Sequence, residues 1–357
     1  MEYLVTISAD RNVIMPVAQL GRNGPVVSRL ALGAMTFGAE TTEAEAYRQM
    51  DLFVERGGTF IDTADVYSNG LSEEIIGRWG KQRGGMADLV IATKGRFGPP
   101  PGSRGGSRRA IVRAVNDSLR RLQLETIDVY YMHGWDRHTD VEETLSTLGD
   151  LIRQGKIHYI AWSNVAGWQI QKIILTARML GVSVPIALQP QYNLLDRGIE
   201  LEVMPCCIDA GLALIPWSPL GGGWLTGKYS SDSRPEGATR LGDDPDRGVE
   251  AYARRNAEHT YEVLAVVREI ADRIGRPMAH VALAWLMSRP GVASVLLGAR
   301  SAEQLEANLG AADLELEADD IQALTRVSAV AFPAYPYQFL AEWSEMQVWN
   351  ELGCEFA

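Results

Sequence analysis

Cysteine is almost missing from this chain: three among 357 residues, two of them adjacent at Cys206 and Cys207. So few thiols exclude a disulfide framework, and a reducing, cytoplasmic setting is the simplest expectation. The adjacent pair falls on a helical pattern and reads as apolar packing. Histidine is nearly as scarce, with five. None stands in H-E-x-x-H spacing and no C-x-x-C occurs, so no metal site is expected. Basic charge is also short. Acidic residues outnumber basic ones 45 to 34, for a formal charge of −11, which argues against nucleic acid or an anionic membrane as the main partner. Long apolar runs are lacking too, since no stretch approaches the roughly 18 residues of a membrane span. The opening residues MEYLVTISADRN carry neither the basic nor the apolar region of a secretion signal.

What is present is alternation. Hydrophobic residues make up 46% and charged ones 22%, a balance that lets a soluble chain bury a sizeable core. Short β-rich apolar runs alternate with amphipathic segments of helical length. The expected strands are ALGAM (31–35), TFIDTA (59–64), DLVIATK (88–94), DVYYMH (128–133), IHYIAWSN (157–164), IALQPQYN (186–193), LALIPWS (212–218) and VASVLLGA (292–299). Helical patterns lie at 43–56, 72–82, 107–123, 141–154, 166–180, 198–210, 256–289 and 301–312. In the third, Ile111, Ala114, Val115, Leu119 and Leu122 share a face and Ser107 is placed to cap it. Thr42 and Glu45 make a capping box before the first. Strands apolar along their whole length suit a parallel sheet covered by helices, and eight is the number that closes a (β/α)8 TIM barrel. An open doubly wound sheet is the rival, but the first turn reads GAMTFGAET and lacks G-x-G-x-x-G.

Three segments sit outside the repeat. PVAQLGRNGPVVSRL (16–30) reads as a hairpin turning at Asn23-Gly24. GRFGPPPGSRGG (95–106) is a Gly/Pro loop, and 219–255 is a long polar loop; loops of such length are usually functional or mobile. No linker separates two cores. The expectation is one domain over 1–357, with the barrel core at 16–328 and a C-terminal extension at 329–357.

Barrel active sites form where the strands end. In FIDTADVYSNG (60–70) an apolar run ends at Asp62, and Tyr67 follows in the loop. The next strands end at Lys94 and His133. Neighbouring strands lie about 4.8 Å apart, so three consecutive ends span roughly 10 Å and four ionisable groups converge. A phenol titrates near pH 10, so Tyr67 is a reluctant proton donor unless a neighbouring ammonium stabilises its phenolate. Lys94 fits that role, with Asp62 to hold the ammonium. His133 is placed to donate a hydrogen bond to a substrate oxygen. The set suits a reaction that builds charge on a carbonyl oxygen and then protonates it.

The ordered motifs LGAMTFG, FIDTADVYSNGLSEEIIG, IATK, YYMH, AWSN, LQPQYNLL, WSPLGGGWLTGKY and LLGARSAEQLEANLGA resemble those of the aldo-keto reductase superfamily over about residues 16–328. WSPL resembles particularly the branch of bacterial reductases and potassium-channel β subunits. The resemblance implies a barrel whose bottom is closed by an N-terminal hairpin, and a nicotinamide cofactor, usually NADPH. It implies Tyr67 as general acid with Asp62, Lys94 and His133 as partners. For the cofactor it implies Ser163, Asn164 and Gln189 at the carboxamide, with Asp62 nearby, and Trp217 stacked on the nicotinamide ring. Ser218, Pro219, Leu220, Gly221, Gly222 and Lys228 would clasp the pyrophosphate, and Gly33, Ala34 and Met35 would border the ribose. Gly298, Arg300, Gln304 and Asn308 would lie at the adenine end, with Arg240 as a second arm from the long loop. A guanidinium grips phosphate bidentately, so Arg300 favours NADPH over NADH.

The chain also departs from the family pattern. Gly134 follows His133 where many relatives carry a larger side chain, and Gly298-Ala299 stand where some place Lys and Ser. Phe97, Trp135 and Trp224 read either as substrate walls or as packing. Gln304 reads alternatively as the capping-box partner of Ser301. GGWLTGKY (222–229) nearly spells a P-loop, but Tyr229 stands where Ser or Thr must reach magnesium, so ATP is discounted. The aromatic tail, with Phe332, Tyr335, Tyr337, Phe339, Trp343 and Trp349, reads as a pocket rim. The expected activity is reversible NADPH-dependent reduction of an aldehyde or ketone, with a small-molecule carbonyl as partner and homo-oligomerisation left open. The alternatives are an NADP(H)-binding regulatory protein like the channel β subunits, and an aldolase using Lys94 as a Schiff base.

Overall fold

All eight apolar runs become strands of one parallel sheet, taken in chain order. A computed structural model of the protein describes residues 15–98, 104–237, 239–246, 248–331, 333–339 and 343. The opening segment, the middle of the Gly/Pro loop, and Phe332 and Trp349 lie outside the described residues. A two-stranded antiparallel hairpin comes first, β1 (Val17–Gln19) with β2 (Val26–Ser28). The sheet follows: β3 (Leu30–Gly33), β4 (Phe60–Asp62), β5 (Val90–Gly95), β6 (Ile127–Met132), β7 (Ile157–Ser163), β8 (Ala187–Gln189), β9 (Ala213–Leu214) and β10 (Val295–Gly298). Its order is β10-β3-β4-β5-β6-β7-β8-β9. Backbone bonds join the two ends, from Leu214 N to the Gly291 carbonyl (2.7 Å) and from Ala293 N to the Leu214 carbonyl (3.0 Å). The sheet is thus a (β/α)8 barrel.

Period-two alternation divides the core into two layers. Ala31, Phe60, Ala92, Val129, Tyr131, Ala161, Ala187 and Ala213 fill the barrel interior, and Leu20 and Val27 of the hairpin region join that cluster at its floor. Leu30, Leu32, Ile61 and Ile91 point outward against the helices. Those helices are α1 (Glu43–Glu55), α2 (Leu71–Gln82), α3 (Arg108–Leu122), α4 (Val141–Arg153), α5 (Gly167–Leu180) and α6 (Val203–Ala210). After β9 come the short α7 (Arg240–Asp243) and α8 (Tyr252–Arg255), then α9 (Glu258–Ile274), α10 (Met278–Met287), α11 (Ala302–Leu309) and α12 (Ala318–Val327). Thr42 and Ser107 cap α1 and α3 as expected, each accepting from the backbone three residues on.

Several boundaries differ from the sequence expectation. The expected helix at 256–289 is two helices, because Gly275 takes a left-handed φ of 66° and Pro277 has no N–H to continue the ladder. The expected strand at 186–193 stops at Gln189, before Pro190, and that at 212–218 stops at Leu214, before Pro216. The loop at 219–255 is organised on Trp224, which is fully buried, stacks on Tyr252 (5.7 Å between centroids) and meets Tyr229 edge-on.

Candidate active site

The eight strand ends meet at one mouth, and the second to fourth of them carry the expected acid–base groups. β4 ends on Asp62, and the chain then turns through Tyr67–Gly70 with Ser68 and Asn69 at φ 48° and 55°. Left-handed backbone in two non-glycine residues is costly, and Tyr67, which immediately precedes them, has its phenol within reach of Lys94 on β5. Lys94 on β5 is wholly buried. Its ammonium donates to Asp62, to the Thr63 carbonyl at 2.7 Å and to the Tyr67 hydroxyl at 3.4 Å. From the opposite wall, Gln189 donates to the second Asp62 oxygen at 2.9 Å. His133 follows β6, its ring edge-on to Tyr67 (5.9 Å) and to Phe97 (5.2 Å). Tyr67, Asp62, Lys94 and His133 are therefore brought together.

Burial works against the Lys94 ammonium, but Asp62 and then Tyr67 outweigh it and hold the lysine above the ordinary amine range. The pair carries its proton on nitrogen. Burial raises the Tyr67 phenol, and the opposing pull of Lys94 does not fully offset it. The expected lowering of this phenol is thus corrected: Lys94 acts in the expected direction, and desolvation exceeds it. His133 moves the other way. Burial first, then Lys94 and Arg96, depress it to about 3, so it is a neutral imidazole at neutral pH.

The residues expected at a dinucleotide line the remaining strand ends. Ser163 donates to the Gln189 carbonyl at 2.7 Å, while Asn164 donates to the His133 carbonyl and accepts from the Trp217 indole at 3.1 Å. Gln189 is turned onto Asp62, so its amide nitrogen is engaged there. Gly33, Ala34 and Met35 close β3; Gly33 pairs with Gly298 at the end of β10 and with Asp62, and Met35 is exposed. Pro219 is buried and Leu220 half-buried where the loop leaves β9. Gly221 and Gly222 have left-handed φ of 57° and 69°, which presents their backbone rather than a side chain. Against that backbone sits the Glu250 carboxylate, which accepts from Ser218 and from Arg240 Nε (2.5 Å). A Cβ on Gly222 would lie 2.7 Å from its Oε2. Lys228 is exposed nearby. A hydroxyl and a guanidinium around a buried carboxylate, with side-chain-free glycine beside it, form an anion cradle, and this donor set fits a phosphate.

At the β10 end, Arg300 pairs with Asp243 at 2.6 Å. The Gln304 backbone N–H donates to the Ser301 hydroxyl, the first half of the expected capping box, but the Gln304 side chain accepts from Arg300 N, one residue before the cap, so the reciprocal half is not made. Asn308 is buried one turn further along α11.

The three expected substrate walls separate. Phe97 is 41% exposed at the mouth beside His133. Trp135 is half-buried, edge-on to the exposed Trp168. Trp224 is corrected: with its indole buried and its N–H bonded to the Glu250 carbonyl, it is the packing centre of the long loop. In the tail, Tyr335, Phe339 and Trp343 are exposed, and Tyr337 donates to Glu202 before α6. Sequence reasoning missed Arg96, Asp65 and Glu250. A charged residue two positions past a strand-end lysine was a signal for Arg96; nothing local marks Glu250.

Known proteins resemble this chain over most of its length. The model of the aldo/keto reductase family matches residues 29–329. Uncharacterized oxidoreductase YrpG of Bacillus subtilis is 33% identical over 325 residues, spanning 88% of this chain and 96% of that protein. Aryl-alcohol dehydrogenase (NADP(+)) of Phanerodontia chrysosporium is 31% identical over 361 residues, spanning 93% and 92%. A probable voltage-gated potassium channel subunit beta of Arabidopsis thaliana is 35% identical over 308 residues, spanning 84% and 92%. Among the described residues no helix is long and apolar enough to cross a membrane. The chain belongs to the aldo/keto reductase family.

Proposed function

We propose that this aldo/keto reductase reduces an aldehyde or ketone to the alcohol with NADPH, with Tyr67 as proton donor. The observation that carries the reading is the Lys94 ammonium, saturated by Asp62, the Thr63 carbonyl and the Tyr67 hydroxyl. NADPH, when bound, supplies the hydride for the carbonyl carbon. Tyr67 holds its proton, because burial raises its pKa, and releases it to the carbonyl oxygen as negative charge builds there. Lys94 stabilises the phenolate left behind, and Asp62 keeps the ammonium in place. His133, neutral, donates to the same oxygen and orients it.

Support for NADPH comes from the family, which generally uses NADP(H), and from the printed name of the Phanerodontia relative. Ser218, Gly221, Gly222, Lys228 and Arg240 would hold its pyrophosphate and Arg300 its 2′-phosphate. Phe97 and Trp135, with that relative's name, make aromatic aldehydes the first substrates to try. The second reading, a cofactor-binding regulator, draws on the similarity to the channel subunit.

One assay separates the two. Purified protein is mixed with NADPH and a panel of aromatic and aliphatic aldehydes, and nicotinamide absorbance is followed. Turnover that Tyr67→Phe lowers by about 100-fold or more, with NADPH binding retained, is the expected result. Tight NADPH binding with no turnover on any carbonyl would favour the regulator.

A further inference from the structure

Arg96 is a cation beside His133 that pairs with no carboxylate among the described residues. It follows Lys94-Gly95 on the strand that carries the proposed catalytic lysine, and takes a φ of 108°, a conformation side-chain-bearing residues rarely adopt. Strain of that kind persists where the surrounding structure imposes it, and it collects at binding sites. Here the side chain lies over the ring of Phe97. The guanidinium carbon lies 4.4 Å from the centroid of Phe97, whose ring meets His133 edge-on. His133 feels the Arg96 charge.

Two features leave this charge available. Its Nε is buried without a hydrogen-bond partner. No carboxylate among the described residues lies within ion-pair distance of it. Asp136 is the carboxylate that senses Arg96, but it already accepts from Gly106 N (2.7 Å), His138 N (3.0 Å) and Thr139 (2.9 Å). Gly134 keeps the approach clear. A Cβ there would lie 3.3 Å from the Phe97 ring and 3.9 Å from Arg96 Cδ.

We propose that Arg96 is the anion-binding arm of the substrate subsite, so that the preferred substrates are aromatic aldehydes bearing a carboxylate away from the carbonyl. The proposal rests on the carbonyl-reductase reading above and adds the substrate class to it. The aryl ring lies along Phe97, the carbonyl meets Tyr67 and His133, and the carboxylate takes the fork of donors on Arg96. A guanidinium suits this because its planar donors match a carboxylate bidentately.

The test compares 4-carboxybenzaldehyde with its neutral methyl ester in the wild type, Arg96→Gln and Arg96→Lys, with NADPH. The wild type is expected to prefer the carboxylate by about tenfold or more in kcat/KM, carried by KM, the effect of one charged hydrogen bond. Arg96→Gln should bring that ratio towards one and Arg96→Lys should restore part of it; NADPH binding by each variant reports that it is folded. Calorimetric titration with both aldehydes reads the same preference without turnover. If no carbonyl is reduced, the reductase reading fails, and calorimetry still decides for or against the anion subsite. Equal binding of acid and ester by the wild type, or a preference that survives in Arg96→Gln, would overturn the proposal.

Discussion

Asp65 stands two residues before Tyr67, is 1% exposed, and neither of its carboxylate oxygens reaches a hydrogen-bond partner. Burial, and then the Glu73 carboxylate, push its pKa to about 7, against weaker pulls from Arg121, the Val66 backbone N–H and Lys94. In an unfolded chain the same group titrates near 3.9. Between about pH 4 and pH 7, therefore, the native protein keeps a proton that the unfolded chain has released. The group's contribution to stability is fully present below pH 4 and is lost as pH rises through 7. A shift of about 3 units at about 1.4 kcal/mol each makes the swing about 4 kcal/mol.

Asp65→Asn keeps the shape and removes the titration. Unfolding by urea, followed by tryptophan fluorescence at pH 4, 6 and 8, gives the stability difference between variant and wild type at each pH. That difference should move by about 4 kcal/mol in favour of asparagine from pH 4 to pH 8, with most of the change below pH 7. Other titrating groups, His133 among them, are common to both proteins and cancel. A difference that stays constant across this range would refute the assignment of a neutral, uncompensated carboxyl at this position.

Lys94→Met leaves Asp62 buried with only Gln189 beside it, so it should cost about 3–5 kcal/mol in urea unfolding and abolish carbonyl reduction. A variant as stable as the wild type would show that the ion pair is not the buried unit described. Glu250→Gln takes the negative charge out of the Ser218–Arg240 cradle, and NADPH should bind about tenfold tighter by fluorescence quenching. Weaker binding would mean that Glu250 supports the cradle rather than fills it. Trp224→Ala should cost about 3–5 kcal/mol, as expected for a buried indole. A change in aldehyde KM with no loss of stability would return Trp224 to the substrate wall.

The barrel was legible because its strands are largely apolar and three consecutive ones run into an ionisable residue at or next to their ends. Asp62, Lys94 and His133 are those residues, and a parallel sheet places consecutive strand ends side by side without further information. The split between α9 and α10 was written as Gly275-Arg276-Pro277, yet the apolar periodicity on both sides masked it. Other features were not legible in principle. Glu250 meets Ser218 from 32 residues away, through a loop whose path no local pattern records. Trp224 in a Gly-rich loop suggested a pocket wall, and only folding of that loop sets Tyr229 and Tyr252 around it. The charge pattern gave the sign of Lys94's pull on Tyr67. It could not give the burial that exceeds it.

The state of Lys94 discriminates among the chemistries open to a barrel with a lysine on its third strand. An aldolase-type lysine must be an unprotonated amine to attack a carbonyl, so its site lowers its pKa and leaves the nitrogen facing substrate. Lys94 has the opposite character. Its pKa is raised, and its three donor directions are taken by Asp62, the Thr63 carbonyl and the Tyr67 hydroxyl. A neutral Lys94 would strand the Asp62 charge in a buried site, so losing the proton is opposed by the same pair that positions it. The ammonium therefore acts through its neighbours, and of those three only the Tyr67 hydroxyl has a proton to give. Borohydride in the presence of an aldehyde should accordingly leave no adduct on Lys94, and mass spectrometry of the digested protein checks it. An adduct at that residue would mean that the ammonium gives up its proton far more readily than its surroundings allow.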